Sequence, residues 1–270
     1  MNSGIFKKSW RECRTVTITC ALAFLGFQIV LARVFASMGD QFIEQLMNMG
    51  FARTVMQALL GTQISSASPE IFRAFGWVHP VILALAWVHA ITCCTRLPVG
   101  EVEAGTADFL LTLPLSRRVV FVSTSVSFIT SAAVVMGCGL IGVWLGHQSL
   151  PDSGPFNYGA NLMITLNYLA VYLAVSGLSA FNACVCSRRG QAIGITLSLV
   201  LSSFFWTFVS QFWGPAKATP WLSLLHYYQP MEILRNHQIP GSDLAVLSLF
   251  ALVGWVGAWL VFRSKDINTN

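Results

Sequence analysis

The chain alternates between long apolar runs and short polar connections. Six runs are predominantly apolar, and they cover residues 16–36, 77–95, 119–145, 160–185, 192–212 and 244–262. A helix needs about 20 apolar residues to cross the hydrocarbon core of a bilayer, and the runs have this length. The pattern therefore predicts an all-α integral membrane protein with six transmembrane helices. Because no soluble domain or internal repeat interrupts the pattern, we expect residues 1–270 to form a single transmembrane domain.

The composition agrees with a lipid environment. The residues AVILMFWYC make up 55% of the chain, and Asp, Glu, Lys and Arg together make up 10%. A soluble domain carries about 25% charged residues, and the mean hydropathy of this chain is +0.65. The composition excludes a soluble enzyme, a disordered protein and a nucleic-acid-binding domain, although the net charge is +5.

The distribution of Lys and Arg predicts the orientation of the chain. Eleven of the 16 basic residues lie on one side of the six predicted spans. Because Lys and Arg concentrate on the cytoplasmic side of membrane proteins, we expect both termini in the cytoplasm and the protein in the inner (cytoplasmic) membrane. The cytoplasmic set is Lys7, Lys8, Arg11, Arg14, Arg96, Arg117, Arg118, Arg188, Arg189, Arg263 and Lys265, and the outer set is Arg33, Arg53, Arg73, Lys217 and Arg235.

Three segments outside the predicted spans have residue patterns that also predict local structure. Residues 38–76 have apolar positions at helical spacing, which predicts amphipathic helix near the outer membrane face. Residues 213–243 are rich in Pro, Trp and Tyr, a composition typical of an interfacial loop. Residues 5–14 mix apolar and basic side chains, which predicts a short helix in the inner interface. The alternative for this last segment is a plain charged flank.

The predicted spans contain no Asp, Glu or Lys, and Arg33 is their only Arg. Intramembrane carboxylates and cations mark proton relays and ion-coupled transport. We therefore do not expect a proton-driven transporter or an intramembrane aspartyl protease. The chain also lacks the G-x-x-x-x-G-K-[ST] string that binds nucleotide phosphates. If this bundle moves a substrate, the energy comes from another chain.

Span four, residues 160–185, is more polar than a helix bathed in lipid. Small and polar residues suit helices that pack inside a bundle, so we expect this span and the serine-containing span five to lie in the interior. The polar face of span four includes Asn167, Tyr172, Ser176 and Asn182. These four residues are candidates to line a transport path or an interface with a second subunit. Simple interhelical packing is an equal alternative.

The histidines and cysteines raise the question of a bound metal. A membrane haem protein needs histidines on facing helices, but His79 and His89 lie on one predicted helix, about 15 Å apart along its axis. We therefore expect interfacial or core histidines. The seven cysteines fall mostly in apolar runs. Pairs such as Cys93 and Cys94 could bind a soft metal, but we expect packing residues, with neither a metal site nor a disulfide framework.

The connection between spans two and three, residues 100–118, combines acidic, apolar and basic residues in order. Three acids precede or enter a short apolar run, and they are Glu101, Glu103 and Asp108. Thr106 can cap a helix there, Asp108 suits a positive helix N-terminus, and Pro114 ends the helix. The pattern predicts a short amphipathic cytoplasmic helix that contacts both the membrane surface and a partner.

This connection resembles that of the ABC type-2 transporter permeases. Their pattern is Glu-x-Glu-x-Gly-Thr, a Leu-Leu pair and Pro-x-Ser-Arg between the second and third spans. The matching positions are Glu101, Glu103, Gly105, Thr106, Leu110, Leu111, Pro114, Ser116 and Arg117. Residues 226–230 and 262–267 are similar to the family's outer-loop and terminal signatures. The family's Gly-Lys after the Arg is absent, and Ser123-Thr124-Ser125 occupies that region.

The resemblance implies the permease subunit of an ATP-driven exporter, with an interfacial N-terminal helix and a cytoplasmic coupling helix. ATP and Mg²⁺ would be bound in a separate ABC ATP-binding subunit. A second permease subunit, the same chain or a relative, would complete the complex. The residues implied in docking the ATPase are Glu101, Glu103, Gly105, Thr106, Asp108, Pro114, Ser116 and Arg117. The alternative is that the acids only solvate a loop in which Gly105 makes a turn.

Two other functions compete with the exporter. A membrane redox or haem-binding subunit would use His79 and His89. A non-transporting assembly component would keep the six spans without depending on an ATPase. We expect no catalytic residue and no cofactor bound by this chain itself, and the sequence does not identify a substrate.

Overall fold

All secondary structure is helical in the part of the chain that the computed structural model describes, which is residues 1–37, 45, 48–60, 69–107, 114–149 and 155–265. The longer helices are α1 (Ser3–Ser37), α2 (Gly50–Leu60), α3 (Pro69–Val78), α4 (Pro80–Cys94), α5 (Arg117–Gln148), α6 (Tyr158–Val185), α7 (Arg189–Phe212), α8 (Pro230–Asn236) and α9 (Gly241–Ser264). Shorter helical turns are Arg96–Gly100, Glu101–Glu103, Gly214–Lys217, Pro220–Leu222 and Leu224–Tyr227. The predicted all-α fold class is confirmed.

Among the residues that the structure describes, six stretches of helix are long and apolar enough to cross a membrane. They are Ser3–Phe35, Ala74–Cys94, Arg117–Gln148, Tyr158–Val185, Arg189–Phe212 and Gly241–Ser264, which confirms the predicted number of spans. The second span joins the end of α3 to α4. Pro80 begins α4, where a helix does not need the missing N–H group. The Nδ1 atom of His79 accepts a hydrogen bond from the backbone N–H of Val81 at 3.2 Å.

The helix of the first span begins earlier than the predicted span. Residues 5–14 form the first turns of α1 and continue without a break into the apolar run, because no proline interrupts residues 3–37. The rings of Phe6 and Trp10 stack with their centroids 6.4 Å apart. The placement of this segment in the inner interface remains a prediction.

The amphipathic segment predicted in residues 38–76 contains α2 and α3. Residues 38–44, 46–47 and 61–68 lie outside the described part of the chain. Met56, Leu59 and Leu60 of α2 are buried, and α2 packs against α3 and α7. The apolar face of α2 is therefore turned toward the helical bundle.

Helices α1 and α5 run side by side in the same direction. The backbone N–H of Asn2 donates to Ser123 Oγ at 2.8 Å near one end, and Arg33 Nε donates to Ser149 Oγ at 3.5 Å near the other. Gly142 makes this close packing possible, because a Cβ atom there would lie 2.6 Å from the carbonyl oxygen of Leu25. Small residues at such contacts let helix backbones approach closely.

Helices α6 and α9 form a second parallel pair. Gly177 meets Gly254, and four residues further on Phe181 covers Gly257. A Cβ atom on Gly254 would lie 2.5 Å from the carbonyl carbon of Gly177. The two backbones are therefore in direct contact, with no side chain between them.

Burial separates two interior spans, α6 and the second span (61% buried in its most apolar part), from more peripheral ones. In the most apolar part of each helix, 67% of the residues of α6 are buried, against 17% in α7 and in α9. The expectation that span four packs inside the bundle is confirmed. The same expectation for span five is wrong for the single chain, because Gly194, Ser198 and Ser202 of α7 lie on its exposed side.

We expect Gly254→Ala to lower the free energy of unfolding by about 1–3 kcal/mol, since the added methyl group overpacks the contact with Gly177. The matched control is Gly137→Ala in α5, where a Cβ atom would have no neighbour within 4 Å. Thermal unfolding of both variants in detergent measures the difference. Equal melting temperatures would contradict the direct backbone contact.

Candidate functional site

The site lies at one end of the bundle, in the connection between α4 and α5. We call this end of the bundle the loop end. After α4, the chain makes a wide helical turn over Arg96–Gly100 and one further turn over Glu101–Glu103. Gly105 then adopts a positive φ of 67°, a left-handed conformation that glycine tolerates without strain. The helix predicted from Thr106 to Pro114 falls largely on residues 108–113, which lie outside the described part, and Asp108 is among them.

Glu101 joins the loop to α1. Its side chain is largely buried, and its carboxylate forms an ion pair with the ammonium group of Lys8. Thr106 Oγ1 donates a second hydrogen bond to Glu101 Oε2 at 2.5 Å. Lys8 also lies 2.7 Å from a carboxylate oxygen of Glu12, one turn along α1. The Glu101 carboxylate is therefore directed into the protein.

Glu103 joins the same loop to α7. Its Oε1 atom accepts a hydrogen bond from the backbone N–H of Arg189 at 2.6 Å, at the first residue of that helix. A helix N-terminus has unpaired N–H groups and a partial positive charge, so a carboxylate there is stabilising. The Arg189 side chain turns back to α4, where Nη2 donates to the carbonyl oxygen of Thr92 at 3.0 Å.

Glu101 and Glu103 thus attach the loop to two helices, α1 and α7, and we call this the double attachment. The outer surface of the loop is formed by Glu103 and the residues that follow it. Glu103, Ala104, Gly105 and Thr106 are exposed, as is Pro114 at the other side of the undescribed stretch. A Cβ atom at Gly105 would have no neighbour within 4 Å. Of the residues implied in docking, Glu103, Gly105, Thr106 and Pro114 are therefore accessible to another molecule, as is Ser116, whereas Glu101 is not.

Ser116 and Arg117 hold helix ends in place. Ser116 Oγ accepts the N–H of Val119 and so caps the start of α5. Arg117 Nη1 donates to the carbonyl oxygens of Phe262 at 2.9 Å and Lys265 at 2.6 Å, at the end of α9. These carbonyl groups lack partners within their own helix, and a cation there is favourable.

Lys265 caps the end of α6 in the same way as Arg117 caps the end of α9. Its ammonium group donates to the carbonyl oxygens of Cys184 at 2.8 Å and Cys186 at 3.1 Å, at the end of α6. The loop ends of α5, α9 and α6 are thus connected through two basic side chains. The sequence marked both residues as basic flanks of spans, but it gave no indication of which helix ends they cap.

Two partners of the acidic loop were also missed. Lys8 and Arg189 were noted only as part of the basic set that orients the chain. Glu101 and Lys8 are separated by 93 residues, and Glu103 and Arg189 by 86. No local pattern connects positions so far apart, so only the tertiary structure brings them together.

The four candidate lining residues of α6 are buried within the single chain. Asn182 Nδ2 donates to Thr196 Oγ1 of α7 at 2.9 Å, and Ser176 Oγ donates to the carbonyl oxygen of Leu173 at 2.8 Å. Tyr172 is bonded to His89. The amide of Asn167 has no hydrogen-bond partner. Three of the four side chains thus have a packing role in this structure.

Both ring nitrogens of buried His89 are engaged. Thr17 Oγ1 donates its proton to the carbonyl oxygen of Cys13 at 2.8 Å, so it accepts from His89 Nε2, which lies 3.0 Å away. This assigns the proton of the neutral ring to Nε2 and leaves Nδ1 to accept from the hydroxyl of Tyr172. His79 caps α4 through its own Nδ1. Neither histidine presents a free pair of nitrogens on facing helices, so the geometry does not favour the haem alternative.

Within the described residues, no three or more His, Cys, Asp or Glu side chains lie close enough together to hold a metal ion. All seven cysteines are free thiols, and six of them are buried. This burial agrees with the expected packing role of the cysteines.

Comparison with known proteins identifies one family. A family model described as "ABC-2 family transporter protein" matches residues 4–263, nearly the whole chain. No curated protein and no solved structure matches the chain significantly.

We expect Arg117→Gln to destabilise the end of α9, because the carbonyl groups of Phe262 and Lys265 lose a charged donor, a loss of about 1–2 kcal/mol. Amide hydrogen exchange should become faster at residues 262–265. The control is Arg118→Gln, which changes the neighbouring exposed arginine. Similar exchange in both variants would show that the cap contributes nothing to stability.

Proposed function

This chain belongs to the ABC-2 family of transporter proteins, and we propose that it is the permease of an exporter driven by ATP hydrolysis in a separate subunit. Family membership makes it a multi-pass membrane subunit of a transporter and implies an ABC ATP-binding partner. The finer proposal places the protein in the cytoplasmic membrane with both termini and the loop end in the cytoplasm. ATP and Mg²⁺ would be held by the partner.

The observation that supports this proposal best is the double attachment of the loop. Glu101 pairs with Lys8 of α1, and Glu103 caps the N-terminus of α7. A displacement of this loop is transmitted to two different spans through charged hydrogen bonds, which are stronger than neutral ones. A permease that is driven by an external ATPase requires such a mechanical connection, since it binds no nucleotide itself.

The proposed docking surface is the exposed face of the loop, comprising Glu103, Ala104, Gly105, Thr106 and Pro114. Asp108, which the resemblance also implies in docking, lies outside the described residues. Glu101 acts differently in the proposal because its side chain is buried, and Ser116 and Arg117 act differently because they cap the ends of α5 and α9. Glu101 transmits the movement to α1, Ser116 caps the start of α5, and Arg117 keeps that start fixed to the end of α9.

We propose that the second permease subunit packs along α7. The exposed side of this helix carries small residues at every fourth position, and they are Gly190, Gly194, Ser198 and Ser202. Small residues permit close approach of a neighbouring helix within the membrane. Large apolar residues such as Ile195 and Leu199 are also exposed on α7, whereas the exposed apolar residues of α9, including Leu249, Val253 and Val256, suit a lipid-facing surface.

We expect the tagged protein to co-purify from its native membranes with a P-loop ATPase in mild detergent. Ala104→Trp should abolish this recovery, because it places a large side chain on the exposed face of the loop. The control is Ser187→Trp, an equally exposed position in the connection between α6 and α7. Mass spectrometry of the purified material identifies the ATPase. Its absence from folded wild-type material would overturn the proposal.

The contact between the loop and α1 can be tested by exchanging its charges. Lys8→Glu and Glu101→Lys should each lower ATP hydrolysis by the reconstituted complex several-fold, because each places like charges opposite one another. The double exchange should recover much of the activity. Lys7→Glu changes an exposed lysine of the same helix and serves as control. Additive losses in the double exchange would show that the pair does not transmit the movement.

A further inference from the structure

One face of α1 changes from basic to apolar near the loop end. Lys7, Arg11 and Arg14 are exposed, and Ile18 and Leu22 follow with exposed fractions of 50% and 62%. Their spacing of three or four residues places these five side chains within about 80° of one another around the helix axis. We call this surface, formed by three cations and two large apolar residues, the α1 stripe.

The three cations of the α1 stripe have no partner within the described part of the chain. None of their side chains forms an ion pair or a hydrogen bond there. The neighbouring Lys8, by contrast, is paired with Glu12 and Glu101. No acidic residue belongs to the stripe, so its positive charge is available to a ligand outside the chain.

Contacts between α1 and α4 give the position of the stripe along the bundle. The rings of Phe27 and His79 lie 4.8 Å apart, and Thr17 Oγ1 lies 3.0 Å from His89 Nε2. The two helices therefore run in opposite directions, and each step forward along α4 is a step back along α1. Cys94, the last residue of α4, then reaches the level between the second and the third cation of the stripe.

This level corresponds to the edge of the hydrocarbon, because the apolar span of α4 ends there. Arg14 lies at that edge, and Arg11 and Lys7 follow about 5 and 10 Å further out. The headgroup layer of a bilayer is about 5–7 Å thick on each side, and long basic side chains bend toward it. Trp10, on the same turns, is of the residue type that is enriched at this depth. The cations thus lie near the lipid phosphates, and the apolar residues of the stripe lie beside the acyl chains.

We propose that the α1 stripe binds one anionic phospholipid, with its phosphate among the three cations and an acyl chain along Ile18 and Leu22. Phosphate oxygens accept charged hydrogen bonds from arginine, and each cation near the surface adds to the attraction for an anionic headgroup. A zwitterionic lipid carries its own cation beside the phosphate and gains less. The site requires only that α1 spans the membrane, so it stands independently of an ATPase partner.

The test is native mass spectrometry of the full-length protein in mild detergent, with phosphatidylglycerol and phosphatidylcholine of identical acyl chains at equal concentration. We expect one phosphatidylglycerol to be retained and much less phosphatidylcholine. Glycerol 3-phosphate, which has the phosphate without acyl chains, should not be retained. The triple variant Lys7→Gln, Arg11→Gln and Arg14→Gln should weaken phosphatidylglycerol binding by about 10–100-fold, because three cations are lost.

The matched control removes the same charge from three exposed positions that lie apart at the loop end, in Arg118→Gln, Arg188→Gln and Arg263→Gln. This control should keep the lipid. Equal losses in the two triple variants would show attraction by net charge alone and overturn the site, as would equal retention of the two lipids. Retention of glycerol 3-phosphate would assign the cations to a soluble phosphate instead of a lipid. The wild type gives a second readout, since about 0.5 M NaCl should release the lipid, and a lipid unaffected by salt would contradict recognition by charge.

Discussion

Helix ends must satisfy backbone groups that have no partner within the helix, and this requirement organises the loop end of the protein. Arg117 serves the end of α9, Lys265 serves the end of α6, and Glu103 serves the start of α7. In each case the charged side chain comes from a different helix than the one it caps. The same bonds that complete the helices therefore also connect them.

The apolar pattern predicted the helices well because lipid allows few alternatives. A backbone in hydrocarbon must satisfy its own hydrogen bonds, so a run of about 20 apolar residues forms a helix. The helix over residues 5–14 was predicted separately from the first span, because Lys7, Lys8 and Arg11 interrupt the apolar run, although they do not interrupt the helix. The prediction that α7 lies in the interior of the bundle was wrong. Its small and polar residues indicate a contact between helices, but they do not indicate whether the neighbouring helix belongs to the same chain.

The loop between α4 and α5 was also predictable only in part from the sequence. Its acids, its glycine turn and its Ser-Arg pair could be found in the sequence, and Gly105 does make a left-handed turn. The partners of these residues depend on contacts across about 90 positions and on the direction of each side chain. Glu101 and Glu103 are two residues apart and look equivalent in the sequence. In the structure one carboxylate is buried against α1, while the other lies at the exposed start of α7.

The glycine contacts limit how many parts of this protein can move. Helices α1 and α5 touch backbone to backbone at Gly142, and α6 and α9 do so at Gly177 and Gly254. Close-packed surfaces of this kind do not slide without opening voids. Six spans therefore reduce to four mechanical bodies, which are two fused pairs and the single helices α4 and α7. Any change of shape has to occur at the borders between these bodies, and the loop is attached to one member of a fused pair and to one single helix.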